Sequence, residues 1–176
     1  MAGTLKVGTI TTPTGSGSIT IPSGVAMTGH SSPAFLAYVG STQNPADSTN
    51  TTVQFDTEVF DTNNCFDTST YTFTPTVAGK YYLYTNIRVD TDSGTHSLIQ
   101  IQGRIRKNDS NCANYLLSSY NASYFNANNI IIVTTVEANG ASDAFKCDVY
   151  LDRDAGTNRV FSGQHQSYFG GYRIGD

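Results

Sequence analysis

Apolar and polar residues alternate with a period of two in short runs along most of the chain, the pattern of strands that bury one face. The clearest runs lie between Tyr71 and Val89. Tyr71 and Phe73 alternate with Thr72 and Thr74 until Pro75, which has no N–H for a ladder, closes the strand. Ala78-Gly79-Lys80 is the expected corner of a tight connection. From there Tyr81, Leu83, Thr85, Ile87 and Val89 share one face, while Tyr82, Tyr84, Asn86 and Arg88 share the other. A strand with tyrosines on its second face is rarely left bare to water, so this one is expected to meet a second sheet or another copy of the chain.

The same period predicts further strands on both sides. Phe35, Ala37 and Val39 alternate, and Val53, Phe55, Thr57 and Val59 do so against Gln54, Asp56 and Glu58. Residues 61 to 67 read as a loop. Between Leu98 and Arg106, Ile99, Ile101 and Ile105 share a face with Gly103, and Phe145, Cys147, Val149 and Leu151 alternate against Lys146, Asp148, Tyr150 and Asp152. Ile130 to Val136 is a continuous apolar run, which predicts a strand buried on both faces. The last strand runs from Ser167 to Ile174, with Gly170-Gly171 permitting a close backbone approach. Residues 111 to 129 fit no such template. Short strands at this spacing predict an antiparallel sandwich or jelly roll.

Composition removes the helical alternatives. Only two of the 14 acidic residues are Glu, whereas Thr numbers 24, Ser 17 and Asn 14, a bias toward strands and turns. A net charge of −4 with scattered Lys and Arg offers no basic field for phosphates, so no nucleic acid is expected as a partner. Cys65, Cys112 and Cys147 show no CxxC spacing and read as reduced thiols or one fortuitous pair. No stretch approaches the ~20 apolar residues of a membrane span and the first residues have no apolar signal core, so the expectation is synthesis in a cytosol without membrane insertion.

Residues 1 to 32 differ in kind from residues 33 to 176. They are rich in Gly, Thr and Ser, hold no aromatic residue, and carry two short strand-prone pieces around Leu5-Lys6-Val7 and Ser18-Ile19-Thr20-Ile21. Such a segment has too little apolar surface to fold alone. It reads either as a leader without structure or as an extended arm that becomes ordered by adding strands to a partner.

The order of features in the larger part resembles a known family. Val53-Gln54-Phe55-Asp56, Phe60-Asp61, Phe66-Asp67, Tyr71-Thr72-Phe73-Thr74-Pro75 and Ala78-Gly79-Lys80-Tyr81-Tyr82, then Arg106-Lys107-Asn108 and Tyr168-Phe169-Gly170-Gly171-Tyr172, resemble the complement C1q globular-head domain over residues 33 to 176. The resemblance implies an all-β fold, an antiparallel jelly-roll sandwich of the C1q/tumour-necrosis-factor type with an extended N-terminal arm. It also implies a homotrimer with one sheet of each copy packed around a three-fold axis. Residues 111 to 129 have no counterpart in it. The arm, through Thr4-Leu5-Lys6-Val7-Gly8-Thr9-Ile10 and Gly15-Ser16-Gly17-Ser18-Ile19-Thr20-Ile21-Pro22-Ser23-Gly24, resembles leader segments of bacteriophage fibre and virion proteins. Together they imply a virion protein made in the host cytoplasm: a fibre or decoration protein attached to capsid or tail proteins through residues 1 to 32, its head meeting a host-surface glycan or protein. Decoration without receptor binding and a soluble C1q-like ligand-binding protein are the alternatives.

Nothing in the sequence assembles a catalytic constellation: His30, His96 and His165 are far apart and no nucleophile or carboxylate motif accompanies them. The chain is therefore expected not to be an enzyme and to need no cofactor. Calcium is the one ion considered, because Asp90, Asp92 and Gly94, and Asp152, Asp154 and Gly156, place oxygen ligands in loops and some C1q-like proteins bind calcium near the trimer top. Missing further ligands and the bidentate Glu of an EF-hand favour ordinary turns. For recognition, Tyr115, Tyr120, Asn121, Tyr124, Phe125 and Asn126 combine rigid amphipathic rings with adaptable amides, as a paratope does, and suit sugar rings and hydroxyls. The competing reading sends those rings into the core or the trimer interface.

Overall fold

A computed structural model describes residues 32–92, 97–119 and 125–175. Residues 1–31, 93–96, 120–124 and 176 lie outside the described residues, and with them the expected arm, His30, Gly94, His96, Tyr120, Asn121 and Tyr124. Twelve strands are described: β1 Ala34–Tyr38, β2 Thr51–Thr52, β3 Thr57–Asp61, β4 Phe66–Asp67, β5 Thr72–Phe73, β6 Ala78–Thr91, β7 Leu98–Lys107, β8 Ser110–Ser118, β9 Ala127–Asn139, β10 Phe145–Arg153, β11 Asn158–Val160 and β12 Ser167–Gly175.

They form two antiparallel sheets. Strand β6 is the spine of the first. Its residues 78 to 90 pair with β9, while residues 80 to 87 pair with β12 and 89 to 91 with β11. Since the same stretch of β6 bonds to both β9 and β12, these two flank it on opposite edges, and β1 and then β3 continue the sheet beyond β12. In the second sheet β10 pairs with β7 and β7 with β8, while β2 and the β5–β4 pair lie on the other side of β10.

The core between the sheets has an aromatic half and an aliphatic half. Phe35 stacks on Phe73 and Phe66 at 4.3 and 4.9 Å between ring centroids, and Phe169 meets Phe35 edge-on at 4.9 Å. These rings come from β1 and β12 of one sheet and β4 and β5 of the other, so they tie the sheets together. In the other half Leu83, Ile87, Ile101, Ile105, Ile130 and Leu151 are fully buried. Here the sheets approach so closely that a Cβ on Gly103 would lie 2.2 Å from Cγ2 of Ile130. Only a hydrogen fits at that position.

Several buried polar groups have a partner. Asp148, 2% exposed, accepts from Arg106 Nη1 at 2.6 Å and from Thr52 Oγ1 at 3.0 Å. The buried Thr85 hydroxyl donates to the Tyr168 carbonyl at 2.7 Å, and the Tyr81 hydroxyl to the Val77 carbonyl at 2.6 Å. Each bond removes the desolvation cost of an orphaned group. All three cysteines are free thiols, Cys65 and Cys147 buried and Cys112 exposed.

The structure corrects several readings of the pattern. Tyr71 to Val89 is not a hairpin: Tyr71 is a turn residue with φ 59°, β5 belongs to the second sheet and β6 to the first. The alternation persists because Phe73 and Tyr81 enter the same core from opposite sheets, their rings 5.7 Å apart. Ala78-Gly79-Lys80 is strand, paired with Asn139-Ala138-Glu137, and the chain crosses over before it. Ile99 is not a core residue; a register shift between Asp152 and Arg153, opposite Gln100 and Leu98, puts Leu98 inside instead. Val59 likewise falls at a shift, since Leu36 pairs with Phe60 and Ala37 with Glu58, and it is 43% exposed. The loop expected at 61 to 67 holds β4, whose Phe66 is buried. Of residues 111 to 129, those up to 118 belong to strand β8 and those from 127 to strand β9.

The correction with most consequence concerns Ile130 to Val136. It is not buried on both faces. Strand β9 lies at the edge of the first sheet, with Ile130, Ile132 and Val136 inside while Ile131 and Val133 are 63% and 57% exposed.

Candidate interaction surface

The outer face of the first sheet is built row by row from residues that pair across it. Ile131, Asn86, Tyr168 and Tyr38 form one row across β9, β6, β12 and β1. Val133, Tyr84, Gly170, Leu36 and Phe60 form the next, reaching β3, and Thr135, Tyr82, Tyr172 and Ala34 the third. No charged residue stands in these rows. The tyrosine rings touch one another: Tyr82 lies 5.5 Å from Tyr172 and 6.1 Å from Tyr84, and Tyr84 lies 6.2 Å from Tyr168.

Gly170 makes this packing possible. A Cβ there would sit 2.6 Å from the Tyr84 ring and hydroxyl, so the missing side chain is the space in which Tyr84 lies across the sheet. Burial, and then the neighbouring phenols Tyr168, Tyr172 and Tyr82, push the Tyr84 phenol above its ordinary 10. The face is thus uncharged at neutral pH and keeps large apolar area in water, with Phe60 and Tyr172 43% and 46% exposed beside Ile131 and Val133. Contiguous apolar faces of this kind mark association surfaces.

Charge returns only at the two ends of the face. Lys80 pairs with Glu137 in register at one end. At the other, Arg88 lies opposite Asn129 and Asp90 opposite Ala127.

Solved structures of low sequence identity share this architecture. The globular domain of zebrafish complement 1qA protein matches with a TM-score of 0.53 and 18% identity over 81% of this chain and 97% of its own. Murine APRIL at pH 5.0 matches with a TM-score of 0.59 and 9% identity over 82% and 100%, and Eiger TNF from S. frugiperda with 0.56 and 13% over 82% and 94%. The fold is the C1q/tumour-necrosis-factor jelly roll. No protein-family model matches the sequence, and no curated protein matches it.

The jelly roll places the predicted recognition residues unevenly. Tyr115, on β8, packs against the core edge and its hydroxyl accepts from Asn128 Nδ2 at 3.2 Å. Phe125 also packs against the core and is tied through its backbone to Leu98. Asn126 is exposed beside it. Tyr120, Asn121 and Tyr124 lie outside the described residues.

The calcium candidates are engaged with other groups. Asp90 receives both Nε and Nη2 of Arg159, at 2.8 and 3.0 Å, Asp92 accepts from the Thr157 backbone N–H, and Asp152 accepts from Ser48 at 3.0 Å. Asp154 is exposed and bonds through its backbone to Ser97. Among the described residues no three His, Cys, Asp or Glu side chains converge as a metal site.

Sequence reasoning found Tyr82 and Tyr84 but missed most of the face around them. Two signals were present: the apolar residues at both parities of Ile130 to Val136, and Tyr168 and Tyr172 flanking Gly170 at a spacing of two. Leu36, Tyr38 and Phe60 gave none, because single apolar residues on an outer strand face are ordinary.

Proposed function

We propose that this chain is a non-enzymatic homotrimeric head whose copies meet through the tyrosine face of the first sheet. The observation that supports it is that face: three uncharged rows with five tyrosines and five exposed or half-buried aliphatic or aromatic neighbours, on a fold similar to C1q and tumour-necrosis-factor domains. Two further copies are the occupant that suits it best, because an uncharged apolar surface needs no opposite charge from a partner and one edge of it can meet another part of the same face on the next copy around a ring. The three-fold number follows the family resemblance of residues 33 to 176.

The head is read as part of a bacteriophage virion, a fibre or decoration protein held to capsid or tail proteins by residues 1 to 32, with the head meeting the host surface. This rests on the resemblance of the arm to fibre leader segments. It is tested by propagating particles whose copy of this chain lacks residues 2–32 and measuring its incorporation by mass spectrometry. Loss from the particle is the expected result; undiminished incorporation refutes attachment through the arm. Whole-chain binding to host cells then separates adhesion from pure decoration.

A further inference from the structure

Among the described residues, five cation–carboxylate pairs hold Arg106, Lys107, Lys146, Arg153 and Arg159. Arg88 is in none of them. Its neighbours on the outer face of the first sheet explain why. Asp90, two residues along the same face of β6, gives both oxygens to Arg159. Asp92 is bonded to the Thr157 backbone, and its charge falls on Arg159 as well. Arg88 is left with a neutral acceptor, donating from Nη1 to Gln166 Oε1 at 3.1 Å.

The guanidinium is nonetheless held in place. Its Cζ lies 4.8 Å from the centroid of the Phe161 ring, which also carries Arg159 at 5.2 Å. Arg88 then lines a cleft of about 230 Å³ with Ala127, Asn128 and Asn129. Asn129 pairs with Arg88 across the strands, is exposed, and its side-chain amide bonds to no other described residue. The cleft lies one row beyond Asn86 and Ile131 on the same two strands.

We propose that this cleft binds the carboxylate of an acidic sugar, with Arg88 forming the charge-assisted pair and the Asn129 amide meeting a neighbouring hydroxyl. The charge argues for a single carboxylate over a phosphate: the cleft offers one guanidinium that no carboxylate pairs, and Asp90 two residues along the same face is already held by Arg159, so a dianion would find one countercharge and a nearby carboxylate. The lining argues for a sugar over an apolar acid, because two of its four residues are amides and its one apolar side chain is the methyl of Ala127. Its volume is below the ~300–1,000 Å³ of sites for drug-sized ligands, which suits one terminal residue. The inference rests on reading the chain as a recognition head and gives that head a ligand class.

The test is ligand-detected saturation-transfer NMR on the full chain with glucuronate, glucose and N-acetylglycine, alongside its mass by sedimentation. Glucuronate is expected to bind and glucose not. Arg88→Gln is expected to weaken glucuronate at least about tenfold, Arg88→Lys less, since a point charge replaces the fork, and Asn129→Ala severalfold. Glucuronate binding unchanged in Arg88→Gln, or absent in the parent chain, overturns the site. N-acetylglycine binding as tightly as glucuronate overturns the sugar assignment. Should Arg88→Gln alter the mass, Asn129→Ala carries the test. A trimer without glucuronate binding removes this site and leaves the assembly; a monomer with Arg88-dependent binding does the reverse.

Discussion

Placing an acid in the middle of the tyrosine face separates assembly from folding. Val133→Asp is the most informative choice, because Val133 lies beside Tyr84 in the central row and is 57% exposed in the single chain. Burying a whole Val side chain stabilises by ~1.5–3 kcal/mol, so the exposed part contributes about 1–1.5 kcal/mol per copy when the face is covered. An unpaired carboxylate in an uncharged contact adds several kcal/mol per copy against association. Three copies multiply both effects. Even about 4 kcal/mol in total weakens the trimer's dissociation constant roughly a thousandfold, and because that constant goes as the square of concentration the concentration needed for assembly rises about thirtyfold. The fold of one copy should hardly change, since an exposed strand position moves stability by about 0.5 kcal/mol. Sedimentation velocity at micromolar concentration reads the assembly and far-UV circular dichroism the fold. The expected outcome is a folded monomer. A Val133→Asp chain that sediments like the parent shows that this face is not the interface, and the reasoning from exposure and charge fails.

Other outcomes follow from the interior. Asp148→Ala leaves the guanidinium of Arg106 beside the core without its carboxylate, a loss of about 2–4 kcal/mol once the 26% exposure of the Arg106 side chain is allowed for, read as a fall in Tm. Gly103→Ala forces a Cβ onto the fully buried Ile130 and should cost about 1–3 kcal/mol in denaturant unfolding; combined with Ile130→Ala the loss should be smaller than the sum of the two singles. The Lys107 ammonium, then the Asn108 amide and the Asn139 N–H, hold the Asp143 carboxyl below its ordinary 3.8. Because the native value is the lower one, this contribution is whole above the ordinary carboxylate range and is lost as pH falls through the native value. Asp143→Asn should flatten that part of the acid unfolding curve, and an unchanged slope contradicts the assignment.

The fold was legible because most of its strands bury one face only. Phe35, Ala37, Tyr81, Leu83, Ile87, Phe145, Val149 and Phe169 all sit where the period of two puts them, fully buried. What misled was local. The shifts at Val59 and Ile99 break the period without leaving a mark in the sequence, because a bulge inserts a residue of no special type. The crossover after Phe73 looked like a corner of one sheet because both arms feed the same core. The interaction face was half legible for a different reason. Alternation reports which residues avoid water, and on β9 both parities do, which a single chain can satisfy for only one face. Read from the sequence, that run meant a central strand; in the fold it is an edge strand whose second face stays exposed in the single chain. Arg88 carried no sequence signal at all, since its distinction is that Arg159 takes the nearby acid, and that is a fact of pairing across strands.

The most direct test of the account is the mass of the full chain in solution by sedimentation equilibrium over a range of micromolar concentrations. The account predicts a species of three times the 18.9 kDa chain that persists on dilution. A single 18.9 kDa species throughout that range, or a dimer, contradicts a trimer formed through the tyrosine face.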